Sequence, residues 1–398
     1  MQSPSHKLLT SNIWKLYLLK VSKWFMLFMP IIVLFYQSNG LSLQEVMTIQ
    51  AVYSLAVAIF EIPSGYFSDR LGRRNSLMIG SILITIHFIV FSCSYTMGGF
   101  MIGAVAGGVG GSFISGTDSA LLYDTLTRLK REKEYLKLEG KTYAISTFSE
   151  AMAAILGGWL AHQYGLRIPI YGQVGIASMG ILVAWSIVEP PSQEVNQQTT
   201  WSDILKIVRH AFIDAKLLRW YILIGAWIGA ATHLLAWFTQ PYLENIDFSE
   251  QSIGLLWAGL NLTVAFVAFY AYRIYQVASS KLLLILIIIG LTVGYIILGL
   301  YGLEYWGLGL ALIFMMYAWR GIATPVLKDL VNQQTPSNMR ATVLSLRGFL
   351  IRIIYVISAP YLGYIADVFT IEEAFLIMGV IFGIVGIIIV LLISTLKR

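Results

Sequence analysis

The sequence predicts an all-α polytopic membrane protein with twelve transmembrane helices in two pseudo-symmetric six-helix halves. Of its 398 residues, 57% are hydrophobic and only 12% are charged. The mean hydropathy is +0.73, and long apolar runs recur from one end of the chain to the other. A soluble globular protein carries about 25% charged residues, so this chain has too little polar surface to stay in water. An ordinary cytosolic enzyme and a nucleic-acid-binding domain are therefore excluded.

The apolar runs give the number of spans. A helix needs about 20 mostly apolar residues to cross the hydrocarbon core of a bilayer. Runs of this kind, separated by polar or Gly/Pro-containing stretches, indicate twelve spans. Their limits are 16–37, 43–66, 76–96, 99–126, 142–164, 168–188, 219–240, 251–273, 281–301, 305–330, 341–365 and 373–395.

The longest break between spans lies halfway along the chain, at 189–218. Its first part is polar, and its second part places Leu205, Val208 and Phe212 on one face of a predicted helix. We expect an N-terminal six-helix half over 1–188 and a C-terminal half over 219–398. Between them we expect a cytoplasmic linker with an amphipathic helix that lies on the membrane surface.

Lys and Arg placement predicts the orientation. With the N-terminus in the cytoplasm, the outer loops contain Arg167 as their only basic residue. The acidic residues that fall outside are Glu244, Asp247, Glu250, Glu304, Asp367, Glu372 and Glu373. The sequence therefore predicts a multi-pass plasma-membrane protein with both termini cytoplasmic and the lipid bilayer as its surroundings. This asymmetry explains the isoelectric point near 9.2 without a nucleic-acid partner. The single cysteine and the absence of Cys/His clusters predict no metal site.

The two halves show a weak internal repeat at an offset of about 205 residues. Residues of the fourth and fifth spans match residues of the tenth and eleventh, in order. The matching pairs are Gly116 and Gly321, Leu122 and Leu327, Asp124 and Asp329, Lys141 and Arg340, and Ser146 and Ser345. Such duplication indicates two equivalent halves packed around a central axis, with a site between them.

The turn between spans two and three reads GYFSDRLGRR over residues 65–74. It resembles the GxxxDRxGRR signature of the major facilitator superfamily, at the position where that family has it. With the twelve spans and the central linker, the resemblance covers essentially the whole chain. The segments 61–63 and 115–126 are similar to those of a group of largely uncharacterised bacterial transporters. The resemblance implies the major facilitator fold, transport by alternating access, the bacterial inner membrane and no cofactor beyond a proton gradient.

The family pattern also implies a gate on the cytoplasmic side. Asp69 is expected to face the positive N-terminal end of span eleven, and Arg70 or Arg73 to pair with Asp124. Glycines are expected to allow close helix packing and a tight turn. The implied gating residues are Gly65, Asp69, Arg70, Gly72, Arg73 and Asp124.

Two features depart from the family pattern. The equivalent turn of the second half, 270–282, lacks the Gly, Asp and paired Arg, so a gate of this kind is one-sided. Span five has Ala153-Ala154 where the drug/proton antiporter signature has Gly-Pro. This difference weakens an antiporter assignment without excluding it.

Ionisable residues inside the spans are the best indication of mechanism, because charges at bilayer depth are costly and usually face a cavity or a partner. Asp118 and Glu150 lie in the first half, and Arg320 and Arg352 lie in the second, so the first half is expected to supply acids and the second bases. Three interpretations stay open. The arginines bind a carboxylate or phosphate of the substrate, Asp118 or Glu150 carries a coupling proton, or the charges form structural ion pairs.

Aromatic residues complete the candidate substrate site. Tyr36, Trp227 and Tyr317 lie deep enough to contact a substrate, and Asp118 is also a substrate-binding candidate. His233, in the middle of span seven, either titrates near neutral pH or is a hydrogen-bonded structural histidine.

These observations predict a secondary active transporter of a small organic solute that works by alternating access with proton coupling, and they favour efflux of amphipathic compounds. One alternative is proton-coupled uptake of an organic anion or zwitterion, and another is a non-transporting membrane sensor with a transporter fold. The sequence contains no GxxxxGK[ST] loop for ATP and no HExxH, so we expect neither a primary pump nor an enzyme. We expect a monomer.

Overall fold

The computed structural model describes residues 6–190, 201–336 and 339–396. In these ranges the regular secondary structure is helical, and twelve helical segments are long and apolar enough to cross a membrane, which confirms the predicted number. The α-helices are α1 (His6–Trp24), α2 (Ile32–Ser38), α3 (Leu43–Leu71), α4 (Arg73–Cys93), α5 (Met97–Ile114), α6 (Thr117–Arg128), α7 (Tyr135–Tyr164), α8 (Ile168–Ser186), α9 (Trp201–Arg209), α10 (Lys216–Asn245), α11 (Glu250–Val277), α12 (Ser280–Tyr301), α13 (Trp306–Gln333), α14 (Arg340–Val368) and α15 (Ile371–Leu396). We call the side of the membrane with the turn 65–74 the motif side, and the opposite side the far side.

Span one is interrupted. Helix α1 ends at Trp24, and a 3₁₀ turn (Met29–Ile31) leads into α2. The backbone N–H of Leu27, within the interruption, donates to Oε1 of buried Gln173 at 2.9 Å. A Cβ at Gly157 would lie 1.9 Å from the Leu27 carbonyl oxygen, so only glycine lets α7 approach this peptide group. The apolar run 16–37 therefore forms two helices whose junction is stabilised from α7 and α8.

Span four is also interrupted, between α5 and α6. Gly116 has a φ of +76°, a left-handed conformation that glycine adopts without the steric cost of a side chain. Asp118 consequently lies in the first turn of α6, where the positive end of the helix dipole favours a carboxylate.

The chain forms two compact units. Unit 1 comprises Met1–Leu41, Val52–Asn196 and Ser249–Ala258, and unit 2 comprises Ser42–Ala51, Gln197–Phe248 and Gly259–Arg398. Each unit thus contains the far-side end of one span from the other half of the sequence. A core cluster of unit 1, on the motif side, is formed by buried Leu16, Leu19, Leu77, Ile114, Leu121, Leu122, Leu126, Leu138, Ala184 and Ile187.

Unit 2 is built around α10, whose side chains are mostly buried. The hydroxyl of Tyr295 on α12 donates to the carbonyl of Ala231 on α10 at 2.6 Å. Near the far side, the hydroxyl of Tyr242 donates to the carbonyl of Gly302 at 2.7 Å. These buried hydroxyl groups fix α12 and the α12–α13 connection against α10.

Each unit contains a close crossing near the far side between helices from different halves of the sequence. In unit 1, a Cβ at Gly158 would lie 2.6 Å from the Glu250 carbonyl oxygen, and one at Gly254 would lie 2.5 Å from that of Ala154. In unit 2, a Cβ at Gly363 would lie 2.8 Å from Cα of Gln44. Backbone therefore packs directly against backbone where α7 meets α11 and where α3 meets α14.

A polar contact lies one turn beyond each crossing. In unit 1, Nδ1 of His162 is 3.0 Å from Oε2 of Glu250. In unit 2, Asp367 accepts hydrogen bonds from the backbone N–H groups of Leu43 and Gln44 at 2.9 and 2.7 Å. Asp367 thereby caps the N-terminal end of α3.

The predicted linker helix corresponds to α9 and a π-helical turn at His210–Asp214. Ile207 and Ala211 are buried, whereas Leu205 is 66% exposed. Leu205 therefore does not point towards the protein core. Residues 191–200 of the linker lie outside the described residues.

Candidate functional site

The motif turn is fixed by a glycine and a carboxylate. Gly72 has a φ of +91° and separates α3 from α4. The Glu189 carboxylate accepts hydrogen bonds from the backbone N–H groups of Arg73 and Arg74 at 2.7 and 2.6 Å. A Cβ at position 72 would lie 3.0 Å from this carboxylate. The tight turn predicted for Gly72 is confirmed, and Glu189, which the sequence did not single out, caps α4.

Arg73 holds three polar groups of the motif together. Its guanidinium lies 2.6 Å from Oδ1 of Asp69 and 3.3 Å from Oδ2 of Asp124, and it donates to Oγ of Ser68 at 3.0 Å. Of the two predicted partners of Asp124, the structure selects Arg73. Arg70 is exposed and lies over the Tyr66 ring, with its guanidinium carbon 5.2 Å from the ring centroid. The approach of Asp69 to span eleven stays a prediction.

The predicted close helix packing at Gly65 is wrong for this structure. A Cβ there would meet no heavy atom of the described chain within 4 Å. Gly65 is exposed, so the absence of a side chain is not required for a helix contact at this position.

Polar contacts connect the motif with the interruption of span four. The Thr117 hydroxyl donates to Oγ of Ser68 at 3.2 Å, and Ser68 in turn accepts from Arg73. Thr117 is buried and directly precedes Asp118. The charges of the motif and the buried carboxylate therefore belong to one connected set of side chains in unit 1.

Asp118 has a basic partner that the sequence analysis overlooked. Nζ of Lys20 on α1 lies 2.7 Å from Oδ2 of Asp118, whose side chain is 5% exposed. Lys23, one turn further along α1, also acts on Asp118 electrostatically. The first half therefore supplies bases as well as the predicted acids at this depth. The lysines had a visible signal, two charges at i and i+3 inside an apolar run, but their partner is almost 100 residues away.

Glu150 lies on α7 and is half-buried. In the described residues no three His, Cys, Asp or Glu side chains are grouped closely enough to hold a metal ion. The titratable side chains in the spans of unit 1 include Lys20, Lys23 and Asp118, which form one cluster, and also Glu150 and His87. The ring of His87 is buried and Nδ1 lies 2.7 Å from the Gly103 carbonyl oxygen.

Unit 2 brings together basic side chains from three spans. His233 on α10 lies within electrostatic range of both Arg320 on α13 and Arg352 on α14. Its ring packs against Tyr355, with 4.6 Å between the ring centroids. The guanidinium carbon of Arg320 lies 5.9 Å from the Tyr317 ring centroid. The two arginines predicted from sequence therefore converge on one region, together with His233.

In the described part of the chain, two arginines of unit 2 have no carboxylate close enough to balance their charge. Over the described ranges, no carboxylate lies within salt-bridge distance of Arg320 or of Arg347, which is further along α14 towards the motif side. Nε of Arg347 is also buried without a hydrogen-bond partner there. In unit 1, by contrast, Asp118 has Lys20 beside it.

The three aromatic residues predicted to contact a substrate lie in different surroundings. Tyr36 is fully buried among Phe35, Phe91 and Phe100, with ring centroids 5.0 to 6.0 Å apart. The indole N–H of Trp227 donates to the Phe382 carbonyl at 2.9 Å and its ring packs on the Phe382 ring, so it is held against α15. Tyr317 is buried beside Arg320. Of the three, Tyr317 is the one associated with the basic cluster.

Known transporters resemble this chain along most of its length. The uncharacterised MFS-type transporter YxaM of Bacillus subtilis is 22% identical over 89% of this chain and 88% of its own. The quinolone resistance protein NorA of Staphylococcus aureus is 20% identical over 71% of each chain. The inner membrane transport protein YajR of Escherichia coli is 24% identical over 74% of this chain and 63% of its own.

Solved structures show the same fold. The nucleoside transporter NupG superimposes with a TM-score of 0.79 at 12% identity, covering 98% of this chain and 100% of that one, in its D323A mutant. A D-xylose–proton symporter gives 0.72 at 15% identity, covering 97% of both chains. A sequence model of the Major Facilitator Superfamily matches residues 24–243, which is more than half of the chain. With the twelve spans and the Arg73-centred motif, this match shows that the protein belongs to the major facilitator superfamily and is a membrane transporter rather than an enzyme.

Proposed function

We propose that the protein is a secondary active transporter of a small organic solute, and that Arg320 and Arg352 bind an anionic group of this solute. The observation that carries the proposal is that Arg320, inside a span, has no carboxylate at salt-bridge distance among the described residues. A guanidinium at bilayer depth is costly unless a counter-charge or a polar cavity accommodates it. A carboxylate, sulfonate or phosphate on the solute supplies this counter-charge.

The surroundings of Arg320 suit an amphipathic anion. The guanidinium is a planar fork that can donate two parallel hydrogen bonds to a carboxylate or phosphate. Tyr317, Tyr355 and His233 add aromatic surface next to the charged groups. We infer that the solute combines one acidic group with an apolar or aromatic body.

Proton coupling is proposed to use a carboxylate of unit 1. The charge of Asp118 is compensated by Lys20 at 2.7 Å, so protonating Asp118 would leave the lysine without its counter-ion. The two carboxylates proposed to carry the coupling proton are Asp118, whose protonation would release Lys20, and Glu150, which lies half-buried in α7.

We propose that the motif side is cytoplasmic, that the protein lies in a bacterial inner membrane, and that transport is export. The basic residues of the turns on the motif side support the orientation, because cytoplasmic loops are enriched in Lys and Arg. The similarity to a quinolone resistance protein supports export of amphipathic compounds. Uptake of the same class of anion would use the same arginines, and a transport assay distinguishes the two directions.

The test uses purified protein in proteoliposomes with an imposed proton gradient, and 2-naphthoate with its neutral amide as probes. We expect gradient-dependent movement of the acid beyond its passive distribution in protein-free liposomes, and no protein-dependent movement of the amide. Arg320→Gln should slow this movement at least about tenfold, because a hydrogen bond to a charged group is worth about 1.5–3 kcal/mol. The sign of the gradient that drives accumulation gives the direction of transport.

Arg273→Gln is the matched control, because Arg273 is an exposed arginine of the same unit and its replacement removes the same charge. It should leave the rate unchanged. Equal transport of acid and amide, or an Arg320→Gln variant as active as the wild type, would refute the assignment of an anionic solute.

A further inference from the structure

Two arginines of α14 meet α10 at two different depths. Arg352 lies within electrostatic range of His233, and the Arg347 side chain lies against Gly225. His233 follows Gly225 by eight residues, which is about 12 Å along a helix axis. Gly225 is nearer the motif side, because α10 begins there at Lys216. The basic groups of unit 2 thus occupy a central level and a second level closer to the motif side.

Among the described residues, the side chain of Arg347 has no polar partner that explains its position. Its Nε is buried without a hydrogen-bond partner, and no carboxylate of the described chain lies within salt-bridge distance. Arg167, by contrast, donates to the carbonyls of Ser92 and Ser94 at 2.8 and 3.0 Å and also to Asn39. A structural role through hydrogen bonding therefore accounts for Arg167 but not for Arg347.

Gly225 provides the space that the Arg347 side chain occupies. A Cβ at this position would lie 2.9 Å from Nε and 3.2 Å from Cδ of Arg347. One turn further along α10, a Cβ at Gly229 would lie 2.6 Å from Cδ1 of Ile351. Both glycines face α14, but only Gly225 accommodates a charged side chain.

We propose that Arg347 forms a second binding station for the anionic group of the transported solute, between the central arginines and the motif side. This inference rests on the proposed function. The acidic group moves from Arg320 and Arg352 to Arg347, which precedes Arg352 by five residues or about 7.5 Å along α14, before it leaves or after it enters on the motif side. Transport through successive sites requires each site to bind strongly enough to attract the solute and weakly enough to release it. Arg347 therefore controls the rate of exchange on the motif side more than the affinity of the central site.

The experiment compares equilibrium binding of 2-naphthoate to protein in nanodiscs with 2-naphthoate counterflow in proteoliposomes. For Arg347→Gln we expect the dissociation constant of 2-naphthoate to stay within about threefold of the wild-type value. Counterflow should be slowed at least about tenfold, which corresponds to about 1.4 kcal/mol. Arg347→Lys keeps the charge and should recover part of the rate. Gly225→Ala displaces the Arg347 side chain without removing it and should slow counterflow in the same way. Gly229→Ala, which displaces an apolar side chain, should exchange at the wild-type rate.

The outcomes separate this inference from the proposed function. If the wild type binds naphthoate no better than its amide, or Arg320→Gln still binds naphthoate, the proposed anion site is wrong. If Arg320→Gln loses binding but Arg347→Gln and Gly225→Ala exchange at the wild-type rate, the second station alone is refuted. Loss of equilibrium binding in Arg347→Gln to the extent seen in Arg320→Gln would place Arg347 in a single central site and also overturn the inference. If Arg347→Gln fails to fold, counterflow by the Gly225→Ala variant still tests the inference.

Discussion

Nζ of Lys20 lies 2.7 Å from Oδ2 of Asp118, next to the points where spans one and four are interrupted. Lys20 is in the penultimate turn of α1 and Asp118 in the first turn of α6. A cation near a helix C-terminus and an anion near a helix N-terminus are each favoured by the helix dipole. The pair therefore joins two half-helices at bilayer depth, and Lys23 adds a second positive charge to it.

This pair should show strong coupling in a double-mutant cycle. Removing one partner of a buried ion pair costs about 3–5 kcal/mol, because the other charge is left uncompensated. We expect Asp118→Asn, which strands two lysines, to lower the melting temperature more than Lys20→Met, after which Lys23 still faces the carboxylate. Lys20→Met with Asp118→Asn should be more stable than the sum of the single changes predicts. Thermal unfolding of the purified variants in detergent measures all three, and additive losses would show that the two groups do not interact.

The two arginines of the motif should differ in their contribution to stability. Arg73→Gln removes contacts with Asp69, Asp124 and Ser68, and should lower the free energy of unfolding by about 1–3 kcal/mol. Arg70→Gln removes an exposed charge stacked on Tyr66, and should change stability by less than about 0.5 kcal/mol. Unfolding by denaturant compares the two, and equal effects would contradict the contacts described for Arg73.

Gly72 should not tolerate a side chain. Its φ of +91° and ψ of 153° lie in a region that is essentially restricted to glycine and costs an L-residue about 1–3 kcal/mol, and the added Cβ would press on Glu189 at 3.0 Å. We expect Gly72→Ala to destabilise the protein. Gly140, inside α7, is the matched control, because a Cβ added there would have no heavy atom within 4 Å. Gly140→Ala should raise stability by about 0.5–1 kcal/mol. Melting temperatures of the two variants that both lie above, or both lie below, the wild-type value would contradict this expectation.

The crossing of α7 and α11 should be as sensitive to an added side chain as the turn at Gly72. Gly158→Ala and Gly254→Ala each place a methyl group 2.5 to 2.6 Å from a backbone carbonyl oxygen of the opposite helix, so the helices must separate. Both variants should melt at lower temperature than the wild type. Gly175→Ala on α8, where a Cβ meets nothing within 4 Å, should not. A wild-type melting temperature for Gly158→Ala would mean that the crossing is looser than described.

Features that depend on neighbouring residues could be predicted from the sequence. The twelve spans follow from apolar length, and the Gly72 turn follows from the ten-residue motif and its position between spans. The family pattern left Arg70 and Arg73 as alternative partners of Asp124. Asp118, Arg320 and Arg352 were recognisable because charges are rare inside apolar runs. Local composition alone thus gave the number of spans and most charged members of the site.

Features that depend on tertiary partners could not be predicted. Glu189 caps α4 from more than 100 residues away, and nothing in the surrounding polar linker distinguishes its carboxylate from others nearby. Span one looked continuous because its interruption contains only apolar residues, 25–29, before Pro30. Gly158 was visible as part of a glycine pair, but which helix it contacts depends on packing rather than on local sequence.

The hydrogen bond between Leu27 and Gln173 has a consequence for the order of folding. A backbone N–H without a partner in the bilayer core costs several kcal/mol, and the oxygen that satisfies the Leu27 N–H is on α8. The first span therefore enters the membrane before the group that completes its backbone has been synthesised. Its junction becomes stable only once the sixth span has been inserted, so span one reaches its final structure after five later spans have entered the membrane.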